Sequence, residues 1–335
     1  MSKITVLGGG GWAIALAMVL NDNGHNVTIW SAVNREVEAL KTHRENKISL
    51  PGVIIPETVE ITNDLKSAVN GAEIIMAVAS SFVRSTSKLL KDLIPNGQII
   101  VDVAKGIEDE TFNTMTEIIE DELPNCDAVA LSGPSHAEEV GRKIPTAVVV
   151  GATTKETAVK VQDAFSNHYF RVYVSPDRKS IELGGALKNV IALAAGISDG
   201  LGFGDNTKAL LITRGMKEIS LLGTAMGGHT RTFNGLSGIG DLIVTCDSKH
   251  SRNRRAGVLI GQGYSLEEAV KEVNMVVEGA VSAKAALNLS KKYHVDMPLT
   301  EAVNDVLFNG KKPLDAVNEL MNRDNTSEHV DLLWK

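Results

Sequence analysis

Ile4-Thr5-Val6-Leu7-Gly8-Gly9-Gly10-Gly11-Trp12-Ala13-Ile14-Ala15-Leu16 carries a short apolar run through four consecutive glycines into a segment of strong helix formers. Apolar run, glycine turn and Ala/Leu-rich stretch read as strand, turn and helix. Asn23-Gly24-His25-Asn26 then breaks the chain before a second apolar run at residues 27–30, which closes a strand-helix-strand unit of the usual length, about thirty residues. Working outward, strands are predicted at residues 73–79, 98–103, 128–132 and 147–151, alternating with helical stretches at 81–93 and 111–123. That alternation predicts a parallel sheet covered by helices. Beyond about Ser175 the strand signals fade, and apolar helical stretches follow at 181–197, 208–226, 266–273 and 280–289.

The expected fold class is therefore α/β, a Rossmann-type doubly wound sheet at the N-terminus joined to a mainly α-helical C-terminal domain. A length of 335 residues exceeds what one hydrophobic core usually serves, and the division is expected at residues 1–175 and 176–335. The polar tail from Asn322 onward reads as a loosely held terminus. With 43% hydrophobic and 22% charged residues the chain has material for a sizeable core. A net charge of -7 argues against a broad basic face for nucleic acid or an acidic membrane surface, so an anionic ligand needs a local basic pocket. Cys126 and Cys246 form no CxxC pair, which signals neither zinc nor a disulfide framework and fits a reducing cytoplasm. Met1-Ser2-Lys3 leads directly into the first strand without a signal-peptide pattern, and the apolar runs are too short or interrupted for stable membrane insertion.

The glycine turn matches the dinucleotide fingerprint: Gly8 for the tight turn, Gly10 for close approach of a pyrophosphate, and Ala13 where a third glycine often stands. Backbone amides at the start of the following helix, at Gly11 and Trp12, suit phosphate oxygens. The competing reading is a glycine turn that serves packing alone. At the end of the second strand the sequence runs Thr28-Ile29-Trp30-Ser31-Ala32, without the acid that binds the ribose hydroxyls of NAD. Arg35 suits a ribose 2′-phosphate, which favours NADP and leaves NAD open; a solvated surface arginine is the alternative.

Four further blocks stand in order along the chain: Leu131-Ser132-Gly133-Pro134-Ser135-His136-Ala137-Glu138-Glu139, Gly184-Gly185-Ala186-Leu187-Lys188-Asn189, Gly238-Ile239-Gly240-Asp241-Leu242 and Ser251-Arg252-Asn253-Arg254-Arg255. With the fingerprint and Val276-Val277-Glu278-Gly279, the chain resembles the bacterial NAD(P)-dependent sn-glycerol-3-phosphate dehydrogenases over roughly residues 4–320. The resemblance implies reversible hydride transfer between NAD(P)H and dihydroxyacetone phosphate, giving sn-glycerol 3-phosphate for phospholipid synthesis. A homodimer is left open as the assembly.

Lys188 lies in an otherwise apolar helical stretch, where an ammonium is costly unless it has a partner or a task. A lysine whose pKa is lowered by burial can protonate the alkoxide formed by ketone reduction, and the resemblance assigns it that role. Asp241, on a glycine-rich turn, suits a partner for Lys188 or a substrate hydroxyl; a helix cap is the bland reading. The resemblance implies substrate contacts for Lys105, Gly133, Ser135, Ser251, Arg252 and Asn253. It implies cofactor contacts for Lys105, Ala137, Arg252, Val276 and Glu278, and leaves Arg254 and Arg255 out. His136 is a rival acid that reads better as a local hydrogen-bonding group, and no ligand spacing indicates a metal. Ala13-Ile14, Ala79 and Ala104 depart from the family's usual residues at the cofactor end. Two other functions compete: a related dehydrogenase of another polyol phosphate or hydroxy acid, and a non-catalytic nicotinamide sensor.

Overall fold

The computed structural model describes residues 1–325, 327 and 328, so most of the tail beyond Arg323 lies outside the described residues. Eight strands form one sheet: β1 (Lys3–Leu7), β2 (Asn26–Trp30), β3 (Glu60–Thr62), β4 (Glu73–Met76), β5 (Ile99–Asp102), β6 (Asp127–Ser132), β7 (Thr146–Gly151) and β8 (Phe170–Ser175). Their order is β3-β2-β1-β4-β5-β6-β7-β8. The chain leaves β1 toward β2 on one side and resumes at β4 on the other. This reversal opens a crevice over the carboxyl ends of β1 and β4, where doubly wound sheets hold ligands.

The first six strands run parallel, but β7 is antiparallel to β6, with β8 parallel to β7. This corrects the expectation of a wholly parallel sheet. A parallel return needs a crossover to the opposite edge, usually by a full helix. Residues 133–145 carry only the single-turn helix α6 (Ala137–Val140), so the chain turns back at the carboxyl edge. The sequence reading also missed β3, only three residues long, and β8, whose alternation of buried Phe170 and Val172 with exposed Arg171 and Tyr173 marks an edge strand.

Helices α1 (Gly11–Asp22), α2 (Asn34–His43), α3 (Leu65–Val69), α4 (Val83–Leu90), α5 (Met115–Glu122) and α7 (Lys155–Phe165) cover the sheet. The α1 residues from Ala13 to Leu20 are all buried, which explains the run of alanine, leucine and valine. After the sheet come α8 (Arg178–Gly200), α9 (Asp205–Ala225), α10 (Thr230–Phe233), α11 (Asp241–Asp247), α12 (Arg252–Gly261), α13 (Leu266–Val273), α14 (Glu278–Tyr293), α15 (Pro298–Phe308) and α16 (Pro313–Met321). Among the described residues, α8 alone is long and apolar enough to cross a membrane, and its apolar stretch is wholly buried inside the protein.

The axis of the helical half is α8. Asp177 caps its N-terminus through Ser180 N and also accepts from Thr232 Oγ1. Arg178 reaches back to the sheet half, donating to Glu120 and to the Ala128 carbonyl at 2.6 Å. One turn on, the buried Glu182 carboxylate accepts from Thr114 Oγ1, Thr116 N and Thr116 Oγ1, which fastens α8 to the start of α5. Toward its other end, α8 packs directly against α12. A Cβ on Gly196 would stand 2.1 Å from the Arg254 carbonyl oxygen, and one on Gly257 would stand 2.3 Å from that of Leu193, so only glycine allows this spacing.

Candidate active site

A cleft of about 470 Å³ lies between the carboxyl edge of the sheet and the helical half. Its first wall is the glycine turn, with Gly10, Gly11 and Trp12 lining it. Gly8 sits beneath, at φ +134, where a Cβ would meet the Ala77 carbonyl oxygen at 2.6 Å; it seats the turn against the chain leaving β4. Gly10 begins α1 without a side-chain cap, and no atom lies within 4 Å of the place its Cβ would occupy. The first amides of α1 therefore face an open cradle, which fits a pyrophosphate.

The second wall follows β5 and β6. Lys105, Ser135 and Ala137 line the cleft, while Gly133 lies behind them and contributes its carbonyl, which accepts from Lys105 Nζ at 3.2 Å and from Ser135 Oγ at 2.9 Å. The floor comes from α8 and α11. Lys188 Nζ donates to Asp241 Oδ1 and, at 2.7 Å, to Thr245 Oγ1. Lys105 Nζ donates to Asp241 Oδ2 at 2.7 Å. Asp241 is only 1% exposed, so one buried carboxylate is shared by an ammonium from each half of the molecule. The π-turn Leu236–Gly240 delivers Asp241 to this position, and Thr245 Oγ1 secures it by donating to the Asp241 carbonyl at 2.6 Å.

These contacts set the charges. Burial pushes the Lys188 ammonium down to about 8, aided by repulsion from Lys105 and opposed by Asp241. Burial alone would raise the Asp241 carboxyl, but Lys105 and Lys188 together outweigh it and hold the group below its ordinary range. Burial raises Glu278, which lines the cleft with Val276 at the start of α14, against the pull of Arg252, Lys105 and Lys188. His136 Nε2 lies 3.5 Å from the Val244 carbonyl oxygen, and burial followed by the Lys188 charge holds the imidazole below its usual pKa.

The third wall is the N-terminus of α12. Ser251 Oγ caps the helix by accepting from Arg254 N at 3.2 Å, which leaves its own proton available to the cleft. Arg252 lines the cleft, whereas Arg254 is turned away and paired with Asp199 at 2.6 Å. Arg255 also lines the cleft, at an exposed position. Asn253 donates from Nδ2 to Asn189 Oδ1 at 3.0 Å and accepts at Oδ1 from Gly279 N at 2.9 Å. This fixes the Asn189 amide with its Nδ2 buried, at the cleft and without a partner among the described residues. A buried orphan donor beside a basic helix N-terminus suits an anionic or hydroxylated ligand.

The cleft thus gathers thirteen of the residues singled out from sequence and leaves Gly8 and Gly133 as supports. Arg35 is not brought in: it stands exposed on α2, outside the lining. Its neighbour Glu36 instead folds back, accepting from Ser31 Oγ at 2.5 Å and lying over Gly9. The sequence reading missed Asn189 and Thr245, which line the cleft, and Glu36, which like Arg35 lies outside the lining. Asn189 adjoins Lys188, and Thr245 follows Asp241 by one helical turn, so helix spacing was the available signal.

Two family models match the chain, the NAD-dependent glycerol-3-phosphate dehydrogenase N-terminus over residues 3–158 and its C-terminus over residues 177–318. A curated Fusobacterium nucleatum protein named glycerol-3-phosphate dehydrogenase [NAD(P)+] is 60% identical over 331 residues, 98% of this chain and 99% of that one. A Bacillus subtilis protein of the same name is 51% identical, covering 99% of this chain and 98% of the relative. The crystal structure of glycerol-3-phosphate dehydrogenase from Coxiella burnetii superposes with a TM-score of 0.92 at 35% identity, over 96% of this chain and 98% of that one. Matched by both halves of the family model and by relatives along nearly its whole length, the chain belongs to the NAD-dependent glycerol-3-phosphate dehydrogenase family.

Proposed function

We propose that the protein is an NAD(P)-dependent oxidoreductase that interconverts dihydroxyacetone phosphate and sn-glycerol 3-phosphate, supplying the backbone of glycerophospholipids. The observation that carries this reading is the Lys188–Asp241–Lys105 cluster at the floor of a cleft walled by a phosphate-binding turn. When bound, the reduced nicotinamide supplies a hydride to carbon 2 of the ketone. Lys188, lowered to about 8 by burial, is the group that protonates the developing alkoxide; in oxidation its neutral form takes the hydroxyl proton back. Asp241 orients both lysines, Lys188 through Oδ1 and Lys105 through Oδ2, and offsets one of their two charges, so the floor of the cleft keeps a net positive charge.

Ser251, Arg252 and Asn253 hold the substrate phosphate at the positive end of α12, with Asn253 acting through the Asn189 amide. Gly133 and Ser135 complete the substrate side. Gly10, Gly11 and Trp12, shaped by Gly8, take the pyrophosphate of the dinucleotide, and Ala137, Lys105, Arg252, Val276 and Glu278 flank the nicotinamide half. In this reading residues 1–175 form the cofactor domain and 176–335 the catalytic domain, the enzyme works in the cytoplasm, and two copies associate; light scattering tests the last point.

The reaction is tested by following nicotinamide absorbance when the purified protein meets dihydroxyacetone phosphate, with unphosphorylated dihydroxyacetone as control. Oxidation of NADH or NADPH by the phosphorylated ketone alone is expected. No turnover despite cofactor binding would favour the sensor reading, and equal turnover of both ketones would remove the phosphate role from α12.

A further inference from the structure

The sequence at the end of β2 offers no acid for an adenosine ribose, yet the fold brings one there from the next helix. Glu36 stands in the first turn of α2, and Ser31, the residue that follows β2, donates to its Oε2 at 2.5 Å. Ser31 is in turn held by the Val33 amide, which donates to Ser31 Oγ at 3.2 Å. The carboxyl group lies over the glycine turn: a Cβ on Gly9 would fall 2.5 Å from the Glu36 carboxyl carbon and 2.9 Å from Oε1. The turn is tied to the end of β2 by the Gly8 amide, which donates to the Trp30 carbonyl at 2.7 Å. Oε1 has no donor among the described residues. A carboxylate oxygen thus stands free between the first turn and the end of β2, the region where a Rossmann-type sheet receives the adenosine ribose.

We propose that Glu36, braced by Ser31, selects the dinucleotide by its adenosine ribose: it accepts from the free ribose hydroxyls of NAD(H) and repels the 2′-phosphate of NADP(H). This inference rests on the nicotinamide reading above and sharpens it. Arg35, exposed and without an ion pair among the described residues, is the group that opposes Glu36 by attracting the 2′-phosphate. The two neighbours pull cofactor choice in opposite directions. The carboxylate is the fixed member, since it has a hydrogen-bonded seat and Arg35 has none.

Titration of purified protein with NADH and, separately, NADPH, read by nicotinamide fluorescence without any ketone, tests the assignment. Wild-type protein is expected to bind NADH roughly tenfold or more tightly than NADPH, because like charges brought together at a binding surface are strongly disfavoured. Glu36→Gln keeps the side-chain shape and should bring the two Kd values together, chiefly by tightening NADPH. Arg35→Ala should weaken NADPH alone. Ser31→Ala, which leaves the carboxylate but removes its brace, should narrow the ratio partway and serves as a second readout should Glu36→Gln fold poorly. Preference for NADPH in the wild type, or a ratio unmoved by both Glu36→Gln and Ser31→Ala, would overturn the role of Glu36 while leaving the dehydrogenase reading intact. Failure to bind either dinucleotide would overturn both.

Discussion

At Lys188 burial and charge act on one ammonium in opposite senses. Desolvation lowers its pKa, Asp241 raises it, Lys105 lowers it again, and the balance stands at about 8. The acid form required for ketone reduction is therefore present below about 8 and lost as the pH rises through that value. The base form required for alcohol oxidation is gained over the same interval. We predict that kcat/KM for reduction is level on the acid side and falls above that pH, while oxidation rises there; opposite limbs with a common midpoint are the signature to measure. Asp241→Asn removes the charge that supports the ammonium, so the falling limb of reduction should move toward acid by roughly a unit or more. A limb that stays in place would assign the titration to another group. Lys188→Ala should slow turnover on the order of a hundredfold or more with dinucleotide binding retained. The proton-transfer role came from the resemblance, whereas the pairing of Lys188 with Asp241 was legible in the sequence, because a lysine inside an apolar helix and an aspartate on a glycine turn are conspicuous locally. Asn189 and Glu36 were not, since an orphaned amide or a carboxylate folded over a distant glycine exists only after tertiary packing.

Among the elements, α12 carries the N-terminus proposed to hold the substrate phosphate, and its position depends on backbone contact with α8. Gly257→Ala puts a Cβ 2.3 Å from the Leu193 carbonyl oxygen, which neither helix can accept without moving apart. The expected result is a loss of about 1–3 kcal/mol in stability by urea denaturation and a raised KM for the phosphorylated ketone. If KM stays at the wild-type value, the α8–α12 contact does not position the phosphate site. The legibility of the elements follows the same division between local and distant causes. The apolar stretch read at 266–273 matches α13 to the residue, and in the structure Ser265 and Glu268 form a capping box at its start. The reversal of β7 was missed because strand direction is set by where the connecting chain travels, which strand periodicity does not record.

For the whole molecule, the two halves meet at the N-terminal end of α8 and again across the cleft, where Lys105 touches Asp241. Glu182→Ala would strip three donors at the start of α5 of their shared acceptor, and we expect a loss of roughly 2–4 kcal/mol together with a fall in kcat. A loss of stability with kcat and KM both unchanged would make this contact a fastening only.

The burial of α8 has a further consequence. Every residue from 180 to 198 is shielded by other parts of the protein, whereas α2 exposes most of its length. In hydrogen-deuterium exchange the α8 amides should open only with the entire fold, while those of α2 should exchange through small local excursions. The amine proposed to carry the proton is thus mounted on a wholly buried stretch, and the residue proposed to sort the dinucleotides sits on a largely exposed helix. On this proposal, substitutions on α2 change the electron donor the protein accepts at little cost to folding, while Lys188 stays fixed in the buried helix.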